Sequence, residues 1–250
     1  MLDNKRRHIF NFPFDLLTKQ QMLMRLEQCW SESTGFEYCV TPNVDHVVRG
    51  NKKAEYLSLY ENAFISVCDS RILQKLARLC GVRFPEVIPG SDLTSELFLG
   101  RVQSDDSVLI IGASDELVAR LLSDLNLDNV THYNPPMGFM NNRDEVEKCL
   151  LLAESKPFKY LFFAVGSPRQ EILAYELKSR GKATGIGFCI GASIDFLVGT
   201  ESRAPKWVQA LNFEWFYRFL QNPRRLWRRY FVDGLRIFPI FIKELSERGK

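Results

Sequence analysis

Short apolar runs alternate with longer amphipathic segments along the chain up to about residue 190. Apolar runs bounded by turn residues predict buried strands, whereas apolar residues at intervals of three and four predict helices. We expect strands at residues 36–40, 64–68, 107–111, 130–133, 160–165 and 183–190. We expect helices at residues 16–30, 45–61, 71–80, 92–99, 115–125, 143–154 and 169–179, and an edge strand or arm at 9–14.

This alternation of strand and helix predicts an α/β fold: a Rossmann-like, mainly parallel sheet with helices on both faces. The length of 250 residues suits one large domain, or one domain plus an appendage. The pattern changes near residue 200, where prolines begin to divide an aromatic-rich sequence into short helices. We therefore predict a core at 1–199 and a helical C-terminal appendage at 200–250.

Composition narrows the class of protein. Hydrophobic residues make up 46% and charged residues 25%, which excludes wholesale disorder. The six cysteines form no C-x-x-C pair, and most lie in apolar runs, as expected for free thiols in a reducing cytosol. The amino terminus has basic residues but no apolar h-region behind them, and no segment approaches the roughly eighteen uncharged apolar residues that a membrane-spanning helix needs. We expect a protein that is neither exported by a standard signal nor threaded through a bilayer.

Charge is distributed unevenly along the chain. Residues 201–250 contain 11 Lys or Arg against five Asp or Glu, whereas the chain as a whole has a net charge of only +3. Tryptophan, tyrosine and phenylalanine are interleaved with these basic residues. Such helices suit an anionic membrane surface. A helical cap with buried aromatic residues is an equal alternative from composition, and a nucleic-acid surface is less favoured because no binding motif accompanies the charge.

Polar or glycine-rich residues follow four of the predicted strands, at 41–46, 69–71, 112–114 and 166–171. The carboxyl ends of parallel strands lie along one edge of a sheet, so these four segments predict a single crevice. At the first of them, Pro42 disfavours helix at Thr41, and Asn43 is a good N-cap for the helix that follows. This corner either binds a ligand or only turns the chain.

Asp69 follows the apolar run at 64–68, where partial desolvation would raise its pKa toward that of a general base. The alternative is that Asp69 caps the helix beginning at Arg71. In the last segment, the turn at Gly166 is expected to place Ser167 at an N-cap and Pro168 at the first helical position. Backbone N–H groups would then face an anion.

Several kinds of site are not supported by the sequence. The glycines at 185–191 have the wrong spacing and position for a dinucleotide fingerprint, and no G-x-S-x-G or Walker motif occurs. The three histidines show no metal-ligand spacing, and no D-x-D is present. We expect no metal and no cofactor. A diphosphate would then be neutralised by arginines, backbone amides and helix dipoles.

Taken together, several blocks resemble the WecG/TagA/CpsF glycosyltransferases, in the right order over residues 35–235. A simultaneous match of several blocks is specific where any one alone is weak. The blocks are Thr41-x-Asn43, Asp69, Pro89-Gly90-Ser91-Asp92-Leu93, Gly166-Ser167-Pro168-Arg169-Gln170-Glu171, Arg203-Ala204-Pro205-x-Trp207, Glu214-Trp215-x-x-Arg218 and Pro223-x-Arg225-x-x-Arg228-Arg229-Tyr230.

The resemblance implies metal-independent, inverting transfer of a sugar from a UDP-sugar donor to a polyprenyl-diphosphate-linked saccharide. Such a reaction belongs to exopolysaccharide, wall-polymer or related cell-envelope biosynthesis. It also implies a peripheral location on the cytoplasmic face of the membrane, with the C-terminal appendage at the anionic lipid surface. N-acetylmannosamine, its uronic acid, glucose and glucuronic acid are all compatible donors.

Carried over to this sequence, the resemblance gives Asp69 the role of general base. It implies that three residues position donor and acceptor and that four arginines act near the diphosphate. The positioning residues are Thr41, Asn43 and Gln170, and the arginines are Arg83, Arg218, Arg225 and Arg228. Three residues depart from the pattern of the family. Ser70 stands where the family often has glycine, and Ser167 and Arg169 stand where small residues and lysine are common. The competing hypothesis is a non-catalytic protein that binds a nucleotide sugar or nucleic acid at the same sheet edge.

Overall fold

The chain is described by a computed structural model over residues 6–32, 34–199 and 234–248. A sheet of six parallel strands forms its centre, in the order β4-β3-β8-β7-β5-β6. A separate antiparallel hairpin, β1 with β2, precedes it. The strands are β1 Arg6–His8, β2 Pro13–Asp15, β3 Phe36–Val40, β4 Ile65–Ser66, β5 Val108–Gly112, β6 Val130–Tyr133, β7 Tyr160–Ala164 and β8 Gly185–Cys189.

Helices follow most of the strands. Two short 3-10 turns, Phe139–Asn141 and Gly234–Arg236, precede the seventh and tenth helices. The α-helices within the described ranges are α1 Lys19–Glu32, α2 Val44–Lys52, α3 Ala54–Glu61, α4 Arg71–Leu79, α5 Gly90–Gly100, α6 Asp115–Leu125, α7 Arg143–Glu154, α8 Arg169–Arg180, α9 Ser193–Leu197 and α10 Ile237–Arg248.

The predicted α/β class is confirmed, because apolar side chains from both faces of the sheet pack into two clusters. One cluster joins the sheet to α2, α3, α4, α7, α8 and the hairpin, and includes Tyr38, Leu73 and Leu173. The other joins it to α1, α5, α6 and α9, and includes Phe98 and Phe162. Burial on both faces explains why the central strands are almost continuously apolar rather than alternating.

Three predicted elements differ from the structure by more than a shift at their ends. The helix expected at 45–61 is two helices, because Lys53 adopts an extended conformation between α2 and α3. Beside this break, Asn51 Nδ2 donates to the carbonyl of Phe10, and Gly50 leaves room for the ring of Phe12. The strand expected at 64–68 has ladder pairing only at β4. The edge strand or arm expected at 9–14 contains the turn of the hairpin and the start of its second strand.

The N-terminal hairpin is fastened to the sheet by Asp15, whose side chain is fully buried. Its carboxylate pairs with Arg6 at 2.7 Å and accepts a hydrogen bond of 2.8 Å from the backbone N–H of Ser66. The hairpin in turn contacts α10, where Glu244 Oε2 accepts from the backbone N–H of Phe10 at 2.8 Å. The described end of the predicted appendage therefore packs on the hairpin and on α2.

Across residues 6–32, 34–199 and 234–248, no helix is both long enough and apolar enough to span a membrane.

Candidate functional site

The carboxyl ends of β3 and β4 place Thr41 and Asp69 next to each other. Both face the first residue of α5, Gly90: a Cβ added to that glycine would lie 2.8 Å from Thr41 Oγ1 and 4.0 Å from Asp69 Oδ2. The backbone N–H of Asp69 also donates to the carbonyl of Pro42 at 3.0 Å. A hydroxyl, a carboxylate and the amino end of an 11-residue helix thus meet at one point.

Asp69 is half-buried and does not cap α4. The N-cap is Ser70, whose hydroxyl accepts a hydrogen bond of 3.3 Å from the backbone N–H of Leu73. The sequence alone left capping and catalysis as alternatives for Asp69, and the structure assigns the cap to its neighbour. A half-buried carboxylate that converges with Thr41 on Gly90 is suited to proton abstraction.

Asn43 confirms the predicted cap at the first corner. Its Oδ1 accepts from the backbone N–H of Asp45 at 3.1 Å, and its own N–H donates to Nδ1 of His46 at 3.0 Å. This reciprocal arrangement is a capping box with histidine in the place usually taken by Glu or Gln. Asn43 Oδ1 therefore has a structural partner, and the positioning role implied by the family resemblance stays a prediction.

The turn after β7 differs from the prediction. Helix α8 begins at Arg169 and Pro168 is its N-cap, so Ser167 lies one residue before the cap. The Ser167 hydroxyl instead accepts a hydrogen bond of 2.9 Å from Arg49 Nη1 on α2. Gly166, at φ 75°, provides the left-handed conformation that the turn requires. The turn thereby joins β7 to the corner after β3.

Gln170 lies inside this network and is 5% exposed. Its Oε1 accepts from the backbone N–H of Gly191, in the loop after β8, and its Nε2 donates to Glu171 Oε1, both at 2.9 Å. The side chain therefore links the ends of β7 and β8. Its role in positioning donor and acceptor stays a prediction, and in the structure it bonds to the loop after β8.

Glu171 is a buried residue of this edge for which we predicted no role beyond a capping pattern. It is 2% exposed, and burial raises the pKa of its carboxyl group above the usual range. His46 Nε2 lies 3.8 Å from Glu171 Oε1. An acidic residue in the first turn of a helix is common, so its position alone gave no signal.

The end of β5 adds a second structural feature. Strand β5 is followed by α6 on one face of the sheet, whereas neighbouring β7 is followed by α8 on the other. Loops that diverge in this way open a crevice at the topological switch point of the sheet. Here Gly112 and Ala113 have φ values of 96° and 63°, and a Cβ on Gly112 would lie 2.7 Å from the Ala164 backbone. A left-handed alanine at this point indicates a constrained turn.

The predicted arginines fall into two groups. Arg83 is exposed on the loop between α4 and α5, and the end of that loop is held by a hydrogen bond of 2.9 Å from Ile88 N–H to the Cys68 carbonyl. Arg218, Arg225 and Arg228 lie outside the described residues. In the described ranges, no group of three or more His, Cys, Asp or Glu side chains could hold a metal ion.

Comparison with known proteins gives a consistent result. Residues 7–250 match the family model described as the glycosyl transferase WecG/TagA/CpsF family. Relatives from Staphylococcus aureus strains MW2 and NCTC 8325 are 26% identical over 246 residues, which cover 96% of this chain and 91% of theirs. A relative from Bacillus subtilis strain 168 is 26% identical over 224 residues, covering 88% and 85%. All three are named N-acetylglucosaminyldiphosphoundecaprenol N-acetyl-beta-D-mannosaminyltransferase.

Proposed function

The chain belongs to the WecG/TagA/CpsF family of glycosyltransferases, and from this premise we propose that it transfers a sugar from a UDP-sugar to a polyprenyl-diphosphate-linked saccharide. The product would enter the assembly of a cell-envelope polysaccharide. The observation that carries the proposal is the convergence of Thr41 and Asp69 on the first residue of α5, at the carboxyl edge of the parallel sheet.

Asp69 acts as the general base. Its carboxylate takes the proton from the acceptor hydroxyl, and the oxygen so activated attacks the anomeric carbon of the donor. The attack comes from the face opposite the diphosphate. As the new C–O bond forms, the bond from the anomeric carbon to the diphosphate oxygen breaks, and its electron pair leaves with UDP. The anomeric carbon is inverted, and Asp69 later returns the proton to solvent.

Thr41 and Asn43 lie on the corner next to this base and position the reacting sugars, together with Gln170. The crevice between the ends of β5 and β7 is the natural place for the nucleotide, because their loops diverge there. Charge on the leaving diphosphate is balanced by Arg83 and by Arg218, Arg225 and Arg228 of the appendage. The chain has no D-x-D motif, and we propose a reaction that needs no metal ion or other cofactor.

The names of the relatives support a specific acceptor. They describe transfer of N-acetylmannosamine to a lipid-diphosphate-linked N-acetylglucosamine. We extend that acceptor class to this chain and take the donor to be UDP-N-acetylmannosamine or a related UDP-sugar. A polyprenyl acceptor is held in the membrane, so the enzyme must work at its surface.

The described end of the chain carries an exposed apolar surface that suits contact with a membrane. Four apolar side chains at intervals of three and four residues form an exposed stripe on α10 and the turn before it. Ile237 and Glu244 lie on the opposite, buried face of the same helix. The residues of this apolar stripe are Leu235, Phe238, Ile242 and Leu245, which are 43–64% exposed.

We propose that residues 1–199 form the catalytic core and that residues 200–250 form an appendage that rests on the inner face of the cell membrane. The apolar stripe supports this assignment because its residues are exposed together, and lipid chains would bury them. The basic excess of the same segment suits anionic headgroups. The protein would then be peripheral, on the cytoplasmic side.

The decisive experiment is UDP release from a panel of UDP-sugars, each paired with a lipid-diphosphate-linked N-acetylglucosamine acceptor, with and without EDTA. We expect acceptor-dependent release with one donor and unchanged turnover in EDTA. Loss of turnover in EDTA that returns with added Mg²⁺ or Mn²⁺ would contradict the metal-free reaction. Binding of UDP without release from any pair would favour the non-catalytic alternative.

A further inference from the structure

Glu171 is a buried acidic residue of the sheet edge that the proposed reaction leaves without a role. Its Oε1 accepts from Gln170, whereas its Oε2 has no hydrogen-bond partner among the residues that the structure describes. Leaving a buried carboxylate oxygen unpaired is costly, and a residue kept under such conditions calls for an explanation beyond stability.

The contact with Glu171 fixes the orientation of the Gln170 amide. A carboxylate only accepts hydrogen bonds, so the end of Gln170 that faces Glu171 must be the NH2 group. The carbonyl end then faces the backbone N–H of Gly191, as observed at 2.9 Å. Without the carboxylate, nothing in this contact would favour one orientation of the amide over the flipped one. Glu171 thereby holds the loop after β8 through Gln170.

His46 connects Glu171 to the other half of the site. Its Nδ1 lies 3.0 Å from the backbone N–H of Asn43 and 2.9 Å from Asn43 Oδ1, so Nε2 is the ring nitrogen that faces away from Asn43. That nitrogen lies 3.8 Å from Glu171 Oε1. A continuous path of polar groups therefore runs from Asn43 at the end of β3 to Gly191 after β8.

We propose that His46 and Glu171 are a pair of positioning residues that hold these two parts of the catalytic edge in register. Both side chains are buried, His46 at 9% and Glu171 at 2% exposure, and we assign neither a contact with substrate. This proposal rests on the proposed function, because it takes the carboxyl edge of the sheet to be the active site. The pair keeps the corner before α2 at a fixed distance from the loop after β8, which Gln170 of α8 holds. Catalysis at this edge requires a fixed distance, because small displacements of reacting groups lower the rate by large factors.

The first test compares Glu171→Leu with Glu171→Gln. Leucine removes the acceptor for Gln170, whereas the carbonyl of glutamine can replace it. The matched control is Thr184→Val, which removes another buried unpartnered oxygen, next to the amino end of β8 and so away from the catalytic edge. We measure hydrogen exchange at the Gly191 amide, together with kcat and KM for the UDP-sugar.

For Glu171→Leu we expect Gly191 exchange to rise by about tenfold or more, and kcat to fall by about tenfold or more with little change in KM. Glu171→Gln should retain most of the Gly191 protection and most of kcat, and Thr184→Val should change neither quantity. Unaltered exchange at Gly191 in Glu171→Leu would overturn the proposal. If Glu171→Leu does not fold, Glu171→Ser removes the same acceptor and is judged by the same criteria.

The role of His46 is tested by a double-mutant cycle. His46→Asn keeps a side-chain acceptor for the Asn43 N–H but removes the group that faces Glu171. We expect its effect on Gly191 exchange to disappear when Glu171→Leu is already present, because the two residues act through one path. Additive effects would overturn the pairing. The exchange measurements judge the pair even where no UDP-sugar is turned over, and absence of turnover would count only against the proposed function.

Discussion

The backbone N–H of Asp69 donates a 3.0 Å hydrogen bond to the carbonyl oxygen of Pro42. This bond continues the pairing of β3 with β4 beyond the last ladder residues, Val40 and Ser66. It ties the proposed base to the backbone between Thr41 and Asn43. The position of Asp69 is therefore set by two neighbouring strands rather than by a mobile loop.

Asp69→Asn should abolish most of the turnover. The amide cannot take the acceptor proton, so we expect kcat to fall by about 10²–10⁴ while UDP binding is retained. Steady-state UDP release and calorimetric titration with UDP measure the two quantities. Asp144→Asn, at an exposed carboxylate in the first turn of α7, is the control. Turnover by Asp69→Asn that stays within about twofold of the control, a margin that covers assay error, would refute the general-base role.

Gly90→Ala should impair catalysis by steric displacement. The new Cβ would lie 2.8 Å from Thr41 Oγ1, closer than such contacts allow, so Thr41 or the start of α5 must move. We expect kcat to fall by about tenfold or more, because misplacement of positioning groups is costly. Gly100→Ala at the other end of α5 meets only Glu96 Oε1, at 3.9 Å, and should keep full activity. Equal activities of the two variants would show that this contact is not part of the site.

Replacing the apolar stripe by serine at Leu235, Phe238, Ile242 and Leu245 should weaken binding to vesicles. Full burial of one such side chain contributes about 1.5–3 kcal/mol, so even partial burial of four predicts a fall of at least about tenfold in the partition coefficient. Co-sedimentation with phosphatidylglycerol-containing vesicles measures it.

The control for the stripe replaces four other exposed apolar residues by serine, and these are Leu79, Leu99, Met137 and Leu151. This control should bind vesicles as the parent protein does. If both variants bind equally, the stripe does not contact lipid.

Asp15→Ala should be strongly destabilising. It leaves the part-buried guanidinium of Arg6 without its acidic partner and removes the acceptor for the Ser66 N–H. Breaking a buried ion pair in this way costs about 3–5 kcal/mol of unfolding free energy. Urea unfolding followed by circular dichroism measures the change. Asp124→Ala removes the exposed partner of Arg120 and should have little effect; a similar small loss at Asp15 would contradict the anchoring role.

Alkaline pH should destabilise the fold. Burial raises the pKa of the Cys149 thiol from 9.0 to about 11, and burial also raises the pKa of Cys39 and Cys189. A group with a raised pKa in the folded state contributes its full stability below its unfolded pKa, and that contribution is lost as pH rises toward the folded value. For Cys149 the loss falls between pH 9 and about 11.

Urea midpoints measured from pH 7 to 10.5 test this expectation, and thiolate absorbance near 240 nm follows ionisation directly. We expect the midpoint to fall above about pH 8.5, where thiols of the unfolded chain ionise. Native thiols that ionise as readily as those of the urea-unfolded protein would contradict the burial argument.

Local sequence determined much of the secondary structure. The bounds of β3, α6, β6 and α7 agree with those expected from periodicity and caps, because strand and helix formation there depends on neighbouring residues. The cap at Asn43 was predictable for the same reason. The break at Lys53 was not, because it lies where the distant hairpin packs against α2.

The same distinction between local sequence and tertiary packing applies to the candidate site. The sequence by itself determined which strand ends carry Thr41, Asn43, Asp69 and Gln170, since apolar runs and the polar residues after them are read directly from the chain. Only the tertiary structure decided that Ser70 rather than Asp69 caps α4, that Gly90 faces Thr41, and that His46 meets Glu171. These contacts join segments far apart in sequence, and their geometry depends on how strands and helices pack, which no local pattern contains.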